Sequence, residues 1–196
     1  MLLCSSLAFG QKVKVSPQFG IHASSTNASV DSILTNEGSG MQGGYNLGFD
    51  VRLGNYDSWI YFQPGAHFYQ ARMDIYSLED FTEIENYQKA ELQVSQIKVP
   101  LNLGFYVTGT DGLLKIRASA GLTPSMIVDQ TETKLKKEDT EFQTFGVGVN
   151  AGIGLDFTVL TVDLRYEHGS TKIYRSANAN MSFLSLTAGL IIPPSL

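Results

Sequence analysis

The lengths of the connections constrain this chain more than any other feature. Short connections lie at Gly54-Asn55-Tyr56-Asp57, at Thr108–Gly112 and around Leu160-Thr161. They are separated by long polar stretches at 26–42, 73–90, 129–141 and 174–181, and eight segments of alternating apolar and polar residues fill the remainder. Tight turns at one end and long loops at the other are the mark of an up-and-down barrel that crosses an outer membrane, with both termini at the short-turn end. A soluble barrel has no reason to sort its loops by length.

The segments alternate with period 2, as strands do. Val13, Val15, Phe19, Ile21 and Ala23 face Lys14, Ser16, Gln18, Gly20 and His22. Ile97, Val99, Leu101, Leu103, Phe105 and Val107 oppose Gln96, Lys98, Pro100, Asn102, Gly104 and Tyr106. The same scheme runs through 44–53, 60–69, 114–126, 144–157, 162–167 and 184–192. Runs of about 10 to 14 residues suit a tilted membrane strand, whereas soluble strands usually have about 5 to 6 residues. The expected fold is all-β: an eight-stranded antiparallel up-and-down transmembrane β-barrel with a polar, filled interior.

Eight strands close around little free space. The inward row is expected to hold Asp50, Arg52, Lys98, Lys115, Arg117, Asp156, Asp163, Arg165 and Glu167, five cations and four anions. Charges removed from water are costly unless paired, so these nine should form one interior network. Glycines at 44, 48, 65, 104, 121, 146, 148, 152 and 154 make room for Tyr61, Tyr69, Tyr106, Arg52 and Arg117. His22 and His67 also fall on this row, as interior polar filling and not as metal ligands.

The chain has 196 residues, of which 17% are charged and 43% apolar, with a mean hydropathy of -0.03. No apolar run approaches the roughly 20 residues of a spanning helix. A net charge of -5 argues against a nucleic-acid partner, which would require a basic face. The single cysteine, Cys4, lies in an apolar N-terminal stretch that reads as the remnant of a secretory signal over residues 1–11, with cleavage beside Gln11. Residues 12–196 then form one domain without disulfide chemistry. No cofactor or metal is expected. Gly146-Val147-Gly148 and Gly152-Ile153-Gly154 are strand glycines, with no helix behind them to make a phosphate loop.

The 73–90 stretch is acidic, with Asp74, Glu79, Asp80, Glu83 and Glu85, and carries Tyr76, Phe81 and Tyr87 between the charges. Exposed aromatics are what protein interfaces use. The three form the candidate docking loop, the alternative being a solvated hairpin end.

Several segments resemble PorT-like outer-membrane β-barrel proteins. Gln96-Ile97-Lys98-Val99-Pro100-Leu101-Asn102-Leu103-Gly104-Phe105-Tyr106 is similar to one strand of that family, and Ile60-Tyr61-Phe62-Gln63-Pro64-Gly65 to another. Gly121-Leu122-Thr123-Pro124-Ser125, and Asp163-Leu164-Arg165-Tyr166 with Gly169, resemble two more. The resemblance runs in order through nearly the whole mature chain. It implies an eight-stranded barrel of the Gram-negative cell envelope, integral to the outer membrane and surrounded by its lipid. It also implies a connection with secretion through the family's founding member, and no catalytic residue. Gly65 stands where the family has a carboxylate, and the chain ends in Pro193-Pro194-Ser195-Leu196 and not on an aromatic residue.

His168-Gly169-Ser170 is the one enzymatic motif. It resembles the His-x-Ser pair of lipid A deacylases, in which serine is the nucleophile and histidine the base. Such a pair requires a third group to orient the histidine, and no carboxylate follows Ser170. The expectation is therefore a non-enzymatic barrel that docks an envelope or secretion partner through its long loops. A lipid A esterase and a small pore are the alternatives.

Overall fold

The computed structural model describes residues 11–29, 42–55, 58–77, 88–108, 112–132, 145–169 and 178–192. Its strands are β1 (Gln11–Ser29), β2 (Gln42–Asn55), β3 (Ile60–Ser77), β4 (Gln88–Lys98), β5 (Leu101–Tyr106), β6 (Leu114–Glu132), β7 (Phe145–Phe157), β8 (Leu160–Gly169) and β9 (Asn178–Leu190). Every pairing is antiparallel, and β1 pairs with both β2 and β9, which closes the sheet. β4 and β5 are two halves of one stave, since both lie between β3 and β6. The barrel therefore has eight staves.

The break falls at Val99-Pro100, where proline has no N–H to offer the ladder. Both neighbours nevertheless remain bonded: the Val99 N–H donates to Pro124 O at 2.8 Å, and Pro100 O accepts from Gly65 N–H at 2.9 Å. A register shift at Ser95/Gln96 lies just before it. The sequence pattern read this stave as uninterrupted, because the alternation of faces carries straight across the proline.

The faces are those of a protein immersed in lipid. Phe19 and Ile153 are each 60% exposed and Leu103 65%, while Asn102 is fully buried and Arg117 1% exposed. β5 alternates exposed and buried at every residue, and β8 does so from Leu160 to His168. Apolar side chains thus coat the outside and polar ones fill the centre, the reverse of a water-soluble fold and what a bilayer demands.

Three boundaries differ from the sequence reading. The β7–β8 turn is Thr158-Val159, two residues ahead of Leu160-Thr161; Phe157 pairs with Leu160, and Thr161 is already a strand residue facing Asp156. Strands run to 19 residues, beyond the expected 10 to 14. The long stretches accordingly contain strand: β1 continues to Ser29, β6 to Glu132, and β9 begins at Asn178. Most of the difference lies in the β3–β4 hairpin, whose pairing continues from Arg72↔Gln93 up to Ser77↔Gln88. Periodicity hides these ends because polar residues replace the apolar row once the strands leave the membrane.

The aliphatic and phenylalanine residues of the outward row of β3 end at Phe68, and half-buried Gln70 follows it. From Gln70 to Ser77 the strand rises roughly 20 Å further along the barrel axis, at about 3.3 Å per residue and a tilt of about 40°. This hairpin stands well clear of the apolar belt.

Candidate functional site

The inward side chains meet at three levels. Nearest the short turns, Asp156 is the last inward residue of β7 and Thr161 the first of β8, opposite it. Arg52 reaches across from β2: its Nη1 donates to Asp156 Oδ2 at 2.5 Å and its Nη2 to Thr161 Oγ1 at 3.1 Å. Arg117 on β6 donates from Nε to Asp156 Oδ1 at 2.9 Å and from Nη2 to Asp163 Oδ1 at 3.0 Å. The Thr161 hydroxyl accepts from both guanidinium groups and donates to Asp156 Oδ1 at 2.8 Å. Gln18 adds a bond to Asp163 Oδ2 at 3.2 Å. Two guanidinium forks between two carboxylates form charge-assisted bonds with little freedom to slip.

Asp50 on β2 anchors the middle level. It accepts from Gln63 Nε2 at 2.5 Å and from Arg165 Nη2 at 3.2 Å, and lies 2.8 Å from His67 Nε2. Gly65 faces Asp50 in the β2–β3 register, and a Cβ there would stand 2.0 Å from Asp50 Oδ1. The lack of a side chain at residue 65 is what lets the Asp50 carboxylate sit where it does.

Towards the long loops the arrangement thins to one ion pair, Lys98 Nζ to Glu167 Oε1 at 2.7 Å. The ammonium also lies 3.2 Å from the centre of the Phe183 ring and 4.6 Å from that of Tyr69. His22 packs on the same rings, with centroid distances of 5.0 Å to Tyr69 and 5.7 Å to Phe183. Tyr61 and Tyr106 pair at 5.2 Å near the opposite end. The charged interior thus lies between two aromatic layers.

Eight of the nine expected network residues are buried and joined in these groups. Lys115 is not: it sits half-buried beside Asp156 in the register and makes none of these bonds. Among the described residues, Gln18, Gln63, His67, Tyr61, Thr161 and Phe183 join the charged groups without having been singled out for the network. Four of them, Gln18, Tyr61, Gln63 and His67, lie on the inward row of the alternation as neutral or weakly basic residues. Thr161 was assigned to a turn, and Phe183 falls one residue before the expected start of its strand. No group of three or more His, Cys, Asp or Glu among the described residues could hold a metal ion.

Two further expectations concern the outer end. Tyr76 lies within β3, its Cα opposite that of Lys89. Phe81 and Tyr87 fall outside the described residues, as does Ser170. His168 is outward and exposed, and its Nδ1 lies 3.0 Å from Ser182 Oγ on β9, its direct register partner.

No curated protein matches the chain. Its backbone is similar to the outer membrane protein OprG of Pseudomonas aeruginosa, with a TM-score of 0.60 at 11% identity, covering 93% of this chain and 96% of that one. It is also similar to the outer membrane enzyme PagL, with a TM-score of 0.53 at 14% identity, covering 91% of this chain and 99% of that one. Neisserial surface protein A gives a TM-score of 0.51 at 13% identity over 90% and 96%. At such identities the likeness concerns the fold. A family model described as an outer membrane protein beta-barrel domain matches residues 9–175. With its apolar exterior and polar centre, the chain belongs to the outer membrane protein beta-barrel domain family and is an integral protein of the outer membrane.

Proposed function

We propose that the protein is a non-enzymatic barrel that holds its β3–β4 hairpin above the membrane as a docking surface for another envelope protein. The observation that carries this reading is the continuation of the β3–β4 ladder to Ser77↔Gln88, far beyond the apolar belt. The two paired strands lead into the connecting residues 78–87, whose sequence mixes four acidic side chains with Leu78, Phe81, Ile84 and Tyr87. Apolar anchors within a polar surround are the usual composition of an interface. A connection with secretion rests on the PorT-like resemblance, and export through a signal at residues 1–11 belongs to the same reading.

The test places a photo-crosslinking amino acid at Phe81 or Tyr87 in intact cells, alongside a variant in which 78–87 is a Gly-Ser linker of equal length. A discrete adduct to one protein, whose complex with the barrel is lost in the linker variant, is the expected result. Absence of an adduct at either position, with the barrel folded, overturns the reading. The esterase alternative has less support: His168 is engaged with Ser182, and no acidic residue follows Ser170 to orient it.

A further inference from the structure

We infer that the long-loop rim of the barrel receives an extended segment of a partner protein as an added β-strand, in a slot above β2. The rim is uneven. β2 begins at Gln42, which pairs with Ser24 of β1, and its uppermost pair with β3 is Gly44↔Ala71. Both neighbours continue past it. β1 pairs with β9 from Ser25↔Ser182 to Ser29↔Asn178, and β3 with β4 from Arg72↔Gln93 to Ser77↔Gln88. Among the described residues, no strand lies along the β2-side edge of either extension. Since β2 alone separates β1 from β3 below, the gap opens two strand spacings wide, roughly 9–10 Å, which is room for one strand. The rim above β7 and β8 is also low, but that gap spans two staves, so a single strand there would reach only one edge.

The ladder fixes which backbone groups face the slot. In an antiparallel sheet each residue turns its N–H and C=O to one edge, and successive residues alternate edges. The Gly65 N–H donates to Pro100 O at 2.9 Å, so odd-numbered residues of β3 turn to β4, while Arg72, Asp74 and Tyr76 turn to the slot. On β1, Val15 exchanges bonds of 3.1 and 2.8 Å with Ile192, so odd-numbered residues turn to β9, while Thr26 and Ala28 turn to the slot. Such edges are templates for a further strand. The chain's own continuation of β2 suits the place poorly. Gly38-Ser39-Gly40-Met41 precedes Gln42-Gly43-Gly44, and glycine weakens a strand by its entropy and its lack of a side chain to pack. The register also sets the chemistry of the guest. Met73 and Ile75 continue the row of buried Ala71, whereas Arg72 and Asp74 continue the row of half-buried Gln70. Same-face neighbours across strands are what stabilise a pairing, so the fitting guest alternates apolar and polar side chains. The slot describes how the partner of the docking reading is held, and rests on that reading for the partner itself.

Amide hydrogen exchange of the full chain in lipid nanodiscs tests the slot without the partner, using excess of a short synthetic peptide that alternates valine and threonine. In the free barrel the amides of Met73 and Ile75 are expected to be protected, and those of Arg72, Asp74 and Tyr76 to exchange fast. Peptide is expected to slow these three, together with Thr26 and Ala28, on the order of tenfold. Asp74→Pro removes a slot-facing N–H and no bond to β4. It is expected to abolish the protection while unheated protein keeps its mobility shift on gels; if it fails to fold, Tyr76→Pro takes its place. Slot amides that are already protected without peptide, because the chain itself or a second copy fills the place, overturn the proposal. So do slot amides that stay fast with peptide. In cells, Asp74→Pro is expected to remove the crosslinked adduct at Phe81. An adduct that survives overturns the slot and leaves the docking reading standing, whereas no adduct in the unmutated barrel overturns the docking reading.

Discussion

Thr158 is the sole non-glycine residue with positive φ among the described residues, at 54°. A β-branched side chain is unfavourable in that region, where its Cβ crowds the backbone, at a cost of about 1–2 kcal/mol. The two-residue connection between Phe157 and Leu160 imposes the conformation. Thr158→Gly is therefore expected to stabilise the barrel by about 1 kcal/mol, measured by urea unfolding in lipid vesicles; destabilisation would show that the threonine side chain has a compensating role. Gly154→Ala works in the opposite direction. Its Cβ would stand 2.4 Å from Asp163 Oδ1 and 2.5 Å from Arg117 Nη2, inside the most heavily bonded level of the lumen. Forcing that guanidinium aside is expected to cost about 1–3 kcal/mol in the same assay. The inward position of residue 154 is evident from the alternation; the reason it must lack a side chain is not, because Arg117 and Asp163 come from different strands.

Among the elements, the staves differ in how firmly they tie the lumen. Removing Arg117 would leave Asp156 with Arg52 as its one cation and Asp163 with no cation, held only by the Gln18 amide and the Thr161 hydroxyl, both carboxylates still buried. Breaking a buried pair from one side costs about 3–5 kcal/mol, so Arg117→Met should lower unfolding stability by an amount in that range. Lys115→Met, two residues away but half-buried and outside the network, should change it by no more than about 0.5 kcal/mol. Equal effects would mean that the two cations share one environment, contrary to the geometry. The contrast also marks how far the sequence could be read. Alternation separates inward from outward residues along every stave, and so placed Lys115 and Arg117 on one row. It carries no information on depth, and Lys115 lies at the short-turn rim, where water is an adequate partner. Strand ends were obscured for a related reason. Above Phe68 the outward row of β3 changes to Gln70, Arg72 and Asp74 while Ala71, Met73 and Ile75 continue the other row, so the outward apolar row that marks a membrane strand stops. Cross-lumen partners such as Asp50 with Arg165, 115 residues apart, require the closed barrel.

For the whole molecule, the bilayer decides which substitutions matter. The exposed apolar side chains form a continuous belt that would be a severe aggregation liability in water. In lipid the same belt fixes the depth at which the barrel sits. Ile153, 60% exposed, lies within the outward row of β7, next to its midpoint at Ala151, while Leu113, 73% exposed, lies beside the short connection before β6. Both are lipid-facing or interfacial leucine-like positions, so side-chain burial within the protein cannot distinguish them, but their depth in the membrane does. A cation at the midplane costs about 2–4 kcal/mol and one near the interface about 0–1 kcal/mol. Ile153→Arg is therefore expected to be several-fold more damaging to folding into vesicles than Leu113→Arg, judged by the fraction that resists denaturation by SDS before heating. Equal tolerance of both would place the belt elsewhere on the barrel. It would also remove the basis for putting the β3–β4 hairpin outside the bilayer, since hairpin height and membrane depth are measured from the same row of side chains.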